Sequence, residues 1–169
     1  MKSLKTDQIA ILAMKDIEAA NHEEAIAPLI KLLSEKGYVK ETYLNNVLQR
    51  EKVYPTGLLL EGGINVALPH GDTEHVKKLS LAVGTLSKPV VFHHMGSDPK
   101  KEDIVQARIV FLLAVDDPKK LVPYLSRITK EIFLKQEVVR AIENARSESE
   151  IVKTVKSAVL ETSTQPNKI

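Results

Sequence analysis

The sequence predicts an α/β fold: a single-domain sandwich in which a mixed central β-sheet is flanked by helices on both faces. Amphipathic helical patterns open and close the chain, while short apolar runs separated by tight turns fill its middle. No internal repeat or linker divides the 169 residues, a length that suits one domain. At this size folding hides roughly 70% of the surface that the unfolded chain exposes, so an apolar core needs no staples.

The elements come in order. Ile9 to Met14 is a short apolar run before polar punctuation and reads as a first strand. Asn21 followed by Glu24 is a capping-box-like start, after which Ile26, Leu29, Ile30 and Leu33 recur at helical spacing until Gly37. A second helix runs from about Thr42 to Lys52 with Leu44, Val47 and Leu48 inward. Pro55-Thr56-Gly57 reads as a turn, Leu58 to Leu60 as a short strand, and Glu61-Gly62-Gly63 as another turn. Ile64 to Leu68 is a compact strand halted by Pro69, and Leu79 to Leu86 and Val90 to Phe92 continue the pattern around Lys88-Pro89. Met95 to Asp103 is a polar loop, and Ile104 to Val115 holds the strongest buried-strand pattern. Asp117-Pro118 places a cap before a residue suited to a first helical turn, and Leu121, Leu125, Ile128 and Ile132 succeed it at helical spacing. Gln136 to Asn144 is a further helix, and Ser147 with Glu150 forms a capping box before a last one through Ile151, Val155 and Val159. The domain is expected over 1–161, and 162–169 as a flexible polar tail.

Composition excludes several classes of function. The 24 basic and 22 acidic side chains nearly cancel, and a net charge of +2 gives no electrostatic case for nucleic acid or an anionic membrane. The absence of cysteine rules out a disulfide framework, a thiolate nucleophile and a cysteine-ligated metal. No apolar run approaches the ~20 residues of a membrane-spanning helix. The polar start and early charge at Lys15 do not read as a signal peptide, so the chain is expected in the cytoplasm.

Chemistry is sought first among the five histidines, because imidazole titrates near neutrality and can act as a nucleophile. His22 falls in a helix's first turn and reads as a solvated capping residue. His93 and His94 are adjacent in strand-like context, so their side chains point to opposite faces and make a poor metal pair. His70 sits at the abrupt end of a buried strand, after Pro69 and before Gly71-Asp72, where α/β folds place binding and catalytic groups. The alternative for it is a plain surface turn. His75, within helical reach of His70, either tunes the nucleophile or is solvated. Arg50, near a helix end, either decorates a solvated face or offers a planar fork to phosphoryl oxygens.

Read together, these residues resemble the type 2 (mannitol/fructose class) enzyme IIA of the bacterial sugar phosphotransferase system. The motifs are Arg50-Glu51, the threonine-containing turn Pro55-Thr56-Gly57, the turn Gly62-Gly63 and the strand closing in Val66-Ala67-Leu68-Pro69-His70-Gly71. Lys88 to Phe92, Ile109 to Ala114 and the helical run after Asp117 fall in the same order, so the likeness spans roughly Ile9 to Val159. The stretch Arg50 to Gly57 most resembles the galactitol-specific branch. Mannitol and fructose branches carry a second active-site histidine after the long strand; here that region reads Asp116-Asp117-Pro118-Lys119-Lys120-Leu121, leaving Lys120 or Lys119 to supply positive charge.

The resemblance implies a phosphotransferase in which HPr donates a phosphoryl group to His70, which passes it to a cysteine of a separate enzyme IIB working with membrane IIC. Arg50 would neutralise the transferring group, with the Thr56 hydroxyl and backbone N–H groups after His70 as further donors. It implies neither nucleotide, metal nor other cofactor, and an apolar rim around a small polar centre where both partners dock in turn. The competing reading is a regulatory IIA-like domain that binds a protein target according to its phosphorylation state.

Overall fold

A computed structural model describes residues 9–98 and 103–161; the tail expected at 162–169 and part of the loop expected after Met95 lie outside them. Five strands form one mixed sheet in the order β1-β4-β5-β3-β2, comprising β1 (Ala10–Ile17), β2 (Gly57–Leu58), β3 (Asn65–Ala67), β4 (Ser80–His93) and β5 (Ile104–Ala114). β1 runs parallel to β4, β4 antiparallel to β5, β5 parallel to β3, and β3 antiparallel to β2. The predicted sandwich is what forms.

Strand alternation explains why both faces are covered. Along β5, Ile109, Phe111 and Leu113 point to one side and Val110, Leu112 and Ala114 to the other. The first set packs with the C-terminal helices α3 (Pro118–Ile128), α4 (Gln136–Glu143) and α5 (Glu148–Lys156) through Tyr124, Ile128, Ile142, Ile151 and Val155. The second packs with α1 (His22–Glu35) and α2 (Tyr43–Val53) through Ile26, Leu29, Leu33, Tyr43 and Val47.

The predicted caps are present. Asn21 Oδ1 accepts from Glu24 N at 2.9 Å, and Ser147 Oγ accepts from Glu150 N at 3.1 Å. In each box the glutamate reaches one residue further back than the cap, to Ala20 N and Arg146 N respectively. Asp117 caps α3 through Lys119 N. Gly37, at φ 78°, ends α1 with Tyr38 N bonded to Leu33 O, a closure that needs the left-handed backbone glycine tolerates.

Several boundaries differ from expectation for physical reasons. β1 continues past Met14 to Ile17, because Asp16 (φ 57°) forms a bulge and its N–H bonds Thr85 Oγ1 at 2.9 Å. Gly57 belongs to β2 rather than to a turn, and the strand stops at Leu58. The two apolar runs around Lys88-Pro89 are one strand. Pro89 lies beyond the last β1 pair, Ile17 with Leu86, and inside the gap in β5 pairing between Thr85 and Val90, so no ladder bond is lost there. On α2 the fully buried positions are Tyr43, Val47 and Glu51, with Leu44 and Leu48 only partly covered. After Ile128 and Lys156 the chain continues in wider π-type turns (Thr129–Phe133, Ser157–Glu161) instead of ending.

Candidate active site

β3 ends at Ala67, but the chain stays beside β5 for three more residues. Leu113 N donates to Pro69 O at 3.1 Å, and His70 forms an isolated bridge with Leu113. α2 then fixes Gly71 and Asp72. Tyr43 Oη donates to Leu113 O at 2.9 Å and accepts from Gly71 N at 3.1 Å. Asn46 Oδ1 accepts from Asp72 N at 2.7 Å, while its amide nitrogen donates to Asp72 Oδ2 at 2.8 Å. Glycine is required at 71 by proximity: a Cβ there would collide with Asn46 Oδ1 and lie 2.7 Å from Tyr43 Cε1. The Pro-His-Gly sequence thus works as a tight join between the end of β3 and α2.

The join delivers His70 to a cleft of about 550 Å³. Arg50 and Val53 of α2, Tyr54 and Thr56 of the adjoining connector and Leu125 of α3 also line it. Pro55 and the turn Met95-Gly96-Ser97 after β4 complete the wall, the turn being held by Met95 N to Gly57 O at 2.8 Å and Ser97 Oγ to His94 O at 2.6 Å.

Within the cleft the His70 ring is oriented. Its Nδ1 lies 2.9 Å from Leu68 O. A carbonyl oxygen only accepts, so the proton of the neutral ring sits on Nδ1 and the lone pair on Nε2. Burial holds the imidazole below its ordinary pKa; the Leu68 bond and Asp72 oppose that pull, and the Arg50 charge adds to it. The ring is therefore neutral at neutral pH, as a nucleophile must be.

Arg50 is held ready rather than free. Its Nη1 donates to Asp72 Oδ1 at 3.2 Å, and its guanidinium carbon lies 5.4 Å from the Tyr54 ring centroid. Asp72 in turn is clamped by Asn46.

Thr56 lines the cleft but its donors are engaged. Its N–H and its hydroxyl each donate to a different oxygen of Glu51, both at 2.9 Å. The expected backbone donors after His70 are engaged too, Gly71 N by Tyr43 and Asp72 N by Asn46. These groups build the site, and Arg50 is left as its main charge-bearing donor.

His75 and Lys120 stand apart from the residues lining this cleft. His75 Nδ1 is 2.6 Å from Thr42 Oγ1, joining a short 3₁₀ turn to the start of α2. Lys120 pairs with Asp116 at 3.3 Å one helical turn away, and Lys119 is exposed. Nor is His22 simply solvated: it packs against the Phe92 ring at 5.9 Å between centroids and lines a smaller cavity with Glu51, Lys52 and His93. Among the described residues there is no cluster of three or more metal-ligating side chains, and no helix long and apolar enough to cross a membrane.

Sequence reading did not single out Tyr43, Asn46, Met95, Ser97 or Leu125, and gave Asp72 no role. A signal did exist for part of the set: Tyr43, Asn46 and Arg50 fall at positions i, i+3 and i+7, one face of α2. Met95 and Ser97 carried none, because loop residues meet the cleft only through tertiary structure.

A histidine at a strand end, neutral and with one nitrogen fixed, facing a cleft beside an oriented arginine defines a site suited to transfer of an anionic group. The chain belongs to the phosphoenolpyruvate-dependent sugar phosphotransferase system EIIA 2 family, whose sequence profile matches residues 6–158. It is 36% identical over 111 residues to the mannitol-specific phosphotransferase enzyme IIA component of Halalkalibacterium halodurans, covering 66% of each chain. It is 31% identical over 98 residues to the transcriptional regulator ManR of Bacillus subtilis; that match is 58% of this chain and 13% of the regulator. Among solved structures, the mannitol enzyme IIA of Escherichia coli, determined in complex with phosphorylated enzyme IIB, superposes with a TM-score of 0.64 at 26% identity, covering 92% of this chain and 98% of that one.

Proposed function

We propose that the chain is a cytoplasmic phosphoryl carrier in which His70 accepts a phosphoryl group from HPr on Nε2 and passes it to a cysteine of a separate enzyme IIB. The observation that carries this reading is the bond from Nδ1 to Leu68 O, which leaves Nε2 as the nitrogen with a free lone pair. As the donor's N–P bond breaks, that lone pair forms the new N–P bond, and Nδ1–H keeps its carbonyl partner. The carbonyl then faces the positive charge gained by the ring. Arg50 exchanges Asp72 for phosphoryl oxygens and neutralises the transferring charge. Little covalent chemistry falls to the protein; positioning dominates.

Docking by HPr and IIB in turn is supported by apolar side chains around the cleft. Val53 and Tyr54 are 57% and 63% exposed at its edge, and Val122, one turn before Leu125 on α3, is 71% exposed. Such a rim excludes water during transfer without holding either partner tightly.

The galactitol assignment rests on Arg50 to Gly57 and on the lack of a histidine in Asp116 to Leu121, and the enzyme IIA relative from Halalkalibacterium halodurans is mannitol-specific. Similarity to ManR supports a second reading, a domain that reports phosphorylation to a protein target. One experiment separates these. Phosphorylated chain is mixed with galactitol-type and mannitol-type IIB from the same genome. Rapid loss of label to a IIB cysteine supports transport and names the branch. A stable phosphoprotein that no IIB discharges, binding a regulator in only one phosphorylation state, overturns the transport reading.

A further inference from the structure

Glu51 stands between two cavities. On one side its carboxylate takes both the N–H and the hydroxyl of Thr56, a residue of the His70 cleft. On the other it lines a smaller cavity of about 220 Å³ with His22 of α1, Lys52 of α2 and His93 of β4. Glu51 is 6% exposed and Thr56 4% exposed. Neither lysine nor arginine pairs with this carboxylate among the described residues. A buried acid without a cation, bonded to a hydroxyl that can turn either way, is poised to change protonation state.

We infer that Glu51 is a positioning residue whose protonation follows the phosphoryl group on His70. Ionised, it accepts the Thr56 hydroxyl proton. Protonated, it donates to Thr56 Oγ, and the hydroxyl turns to donate into the cleft. The inference rests on the carrier reading of His70. It assigns the glutamate next to Arg50 a task beyond packing: making a cleft donor available only when there is an anion to receive it.

The electrostatics agree in direction. Burial pushes the Glu51 carboxyl up to about 7, against the two Thr56 bonds that favour its ionised form. His22 is held below its ordinary pKa by burial, opposed by Glu23, so it contributes no cation at neutral pH. Lys52 is exposed to solvent and screened, and the Nδ1 of His93 is buried with no hydrogen-bond partner among the described residues. A phosphoryl group bringing about −1.5 to −2 charge into the adjoining cleft favours the protonated carboxyl further. One proton then enters from water through the rear cavity as the group arrives, and leaves as the group moves on. No bond of the transfer step itself changes.

The test is carboxyl carbon NMR of full-length protein labelled with ¹³C-glutamate, before and after phosphorylation by enzyme I, HPr and phosphoenolpyruvate. Glu51→Gln identifies the resonance by its disappearance; the displacement of the same resonance in Thr56→Val provides a second assignment if the first variant does not fold. The expected result is a midpoint near neutrality in free protein that rises by roughly one pH unit, a tenfold gain in proton affinity, on phosphorylation. A midpoint in the ordinary glutamate range, or one that phosphorylation leaves in place, overturns the inference. Transfer equilibrium with HPr supplies a readout that a purely structural glutamate would not move. Rising pH should disfavour phosphorylated wild type more steeply than phosphorylated Glu51→Gln, while Thr56→Ser retains the wild-type profile. Identical profiles in wild type and Glu51→Gln, with His70 labelled in both, defeat the inference and leave the carrier intact. Absence of label on His70 defeats the carrier reading instead, and the titration of free protein still tests the buried acid.

Discussion

At His70 the two ring nitrogens have separate tasks in the proposed carrier, one held by Leu68 O and the other open to chemistry. Because burial lowers the imidazole pKa, the proposed nucleophile stays neutral below the pH at which an exposed histidine would protonate. Phosphoryl acceptance should therefore remain flat as pH falls through about 6.5 and decline only below it, where protonation of Nε2 removes the lone pair. Rapid-quench labelling across that range checks this; a decline centred at or above 6.5 would refute it. Arg50→Lys keeps the charge but turns a fork into a point, and should lose ~2–3 kcal/mol of transition-state stabilisation in the same assay. Unchanged rates in Arg50→Lys and Arg50→Ala would return Arg50 to a surface decoration. Glu51 gives a prediction about stability. Its folded pKa is raised to about 7, so between about 4.5 and 7 the folded state binds more protons than the unfolded one, and wild-type stability falls as pH rises through that window. Denaturant unfolding should find Glu51→Gln close to wild type at pH 5 and more stable by on the order of 2 kcal/mol at pH 8.5.

At the scale of elements, caps and glycine stops were legible because they are written in adjacent residues. Asn21, Ser147 and Gly37 do what their spacing implied, while Glu24 and Glu150 bond one residue further back than a capping box requires. Ser147→Ala should accordingly cost ~1 kcal/mol in unfolding free energy. What local pattern does not reveal is how one element completes another. Lys15-Asp16 looked like the end of a strand, yet Thr85 on the neighbouring strand supplies the bond that carries β1 onwards. The strand-like pattern reads as two runs around Lys88-Pro89, and they are one strand because Pro89 falls where neither neighbour needs an N–H. The site divides the same way. His70 and Arg50 could be named as candidates from residue type and place in the chain, with the family resemblance favouring them over a surface turn and a solvated face, whereas the Tyr43 and Asn46 clamps depend on α2 crossing the end of β3. Gly71→Ala tests that crossing: the added methyl has no room against α2, so both thermal stability and phosphoryl acceptance should fall. Wild-type values for both would mean that the helix and the His70 loop are not locked together.

For the molecule as a whole, a sheet covered on both faces provides a rigid platform, and the candidate site lies where strand ends, a helix end and a loop meet. In the proposed carrier two partners use one face in turn and need a rim that serves both. Tyr54→Asp or Val122→Asp should therefore weaken acceptance from HPr and delivery to IIB together, raising the half-saturating partner concentration in each, while leaving the unfolding midpoint unchanged. Loss of one transfer without the other would show that the partners use different surfaces. The central claim is that a single ring nitrogen, Nε2 of His70, carries the phosphoryl group. Its most direct test is ¹⁵N NMR of histidine-labelled chain after incubation with enzyme I, HPr and phosphoenolpyruvate, paired with acid-labile phosphate labelling of His70→Ala. The account predicts one phosphohistidine, His70 substituted at Nε2, and no label in the variant; a phosphoryl group on Nδ1, or label that survives in His70→Ala, would contradict it.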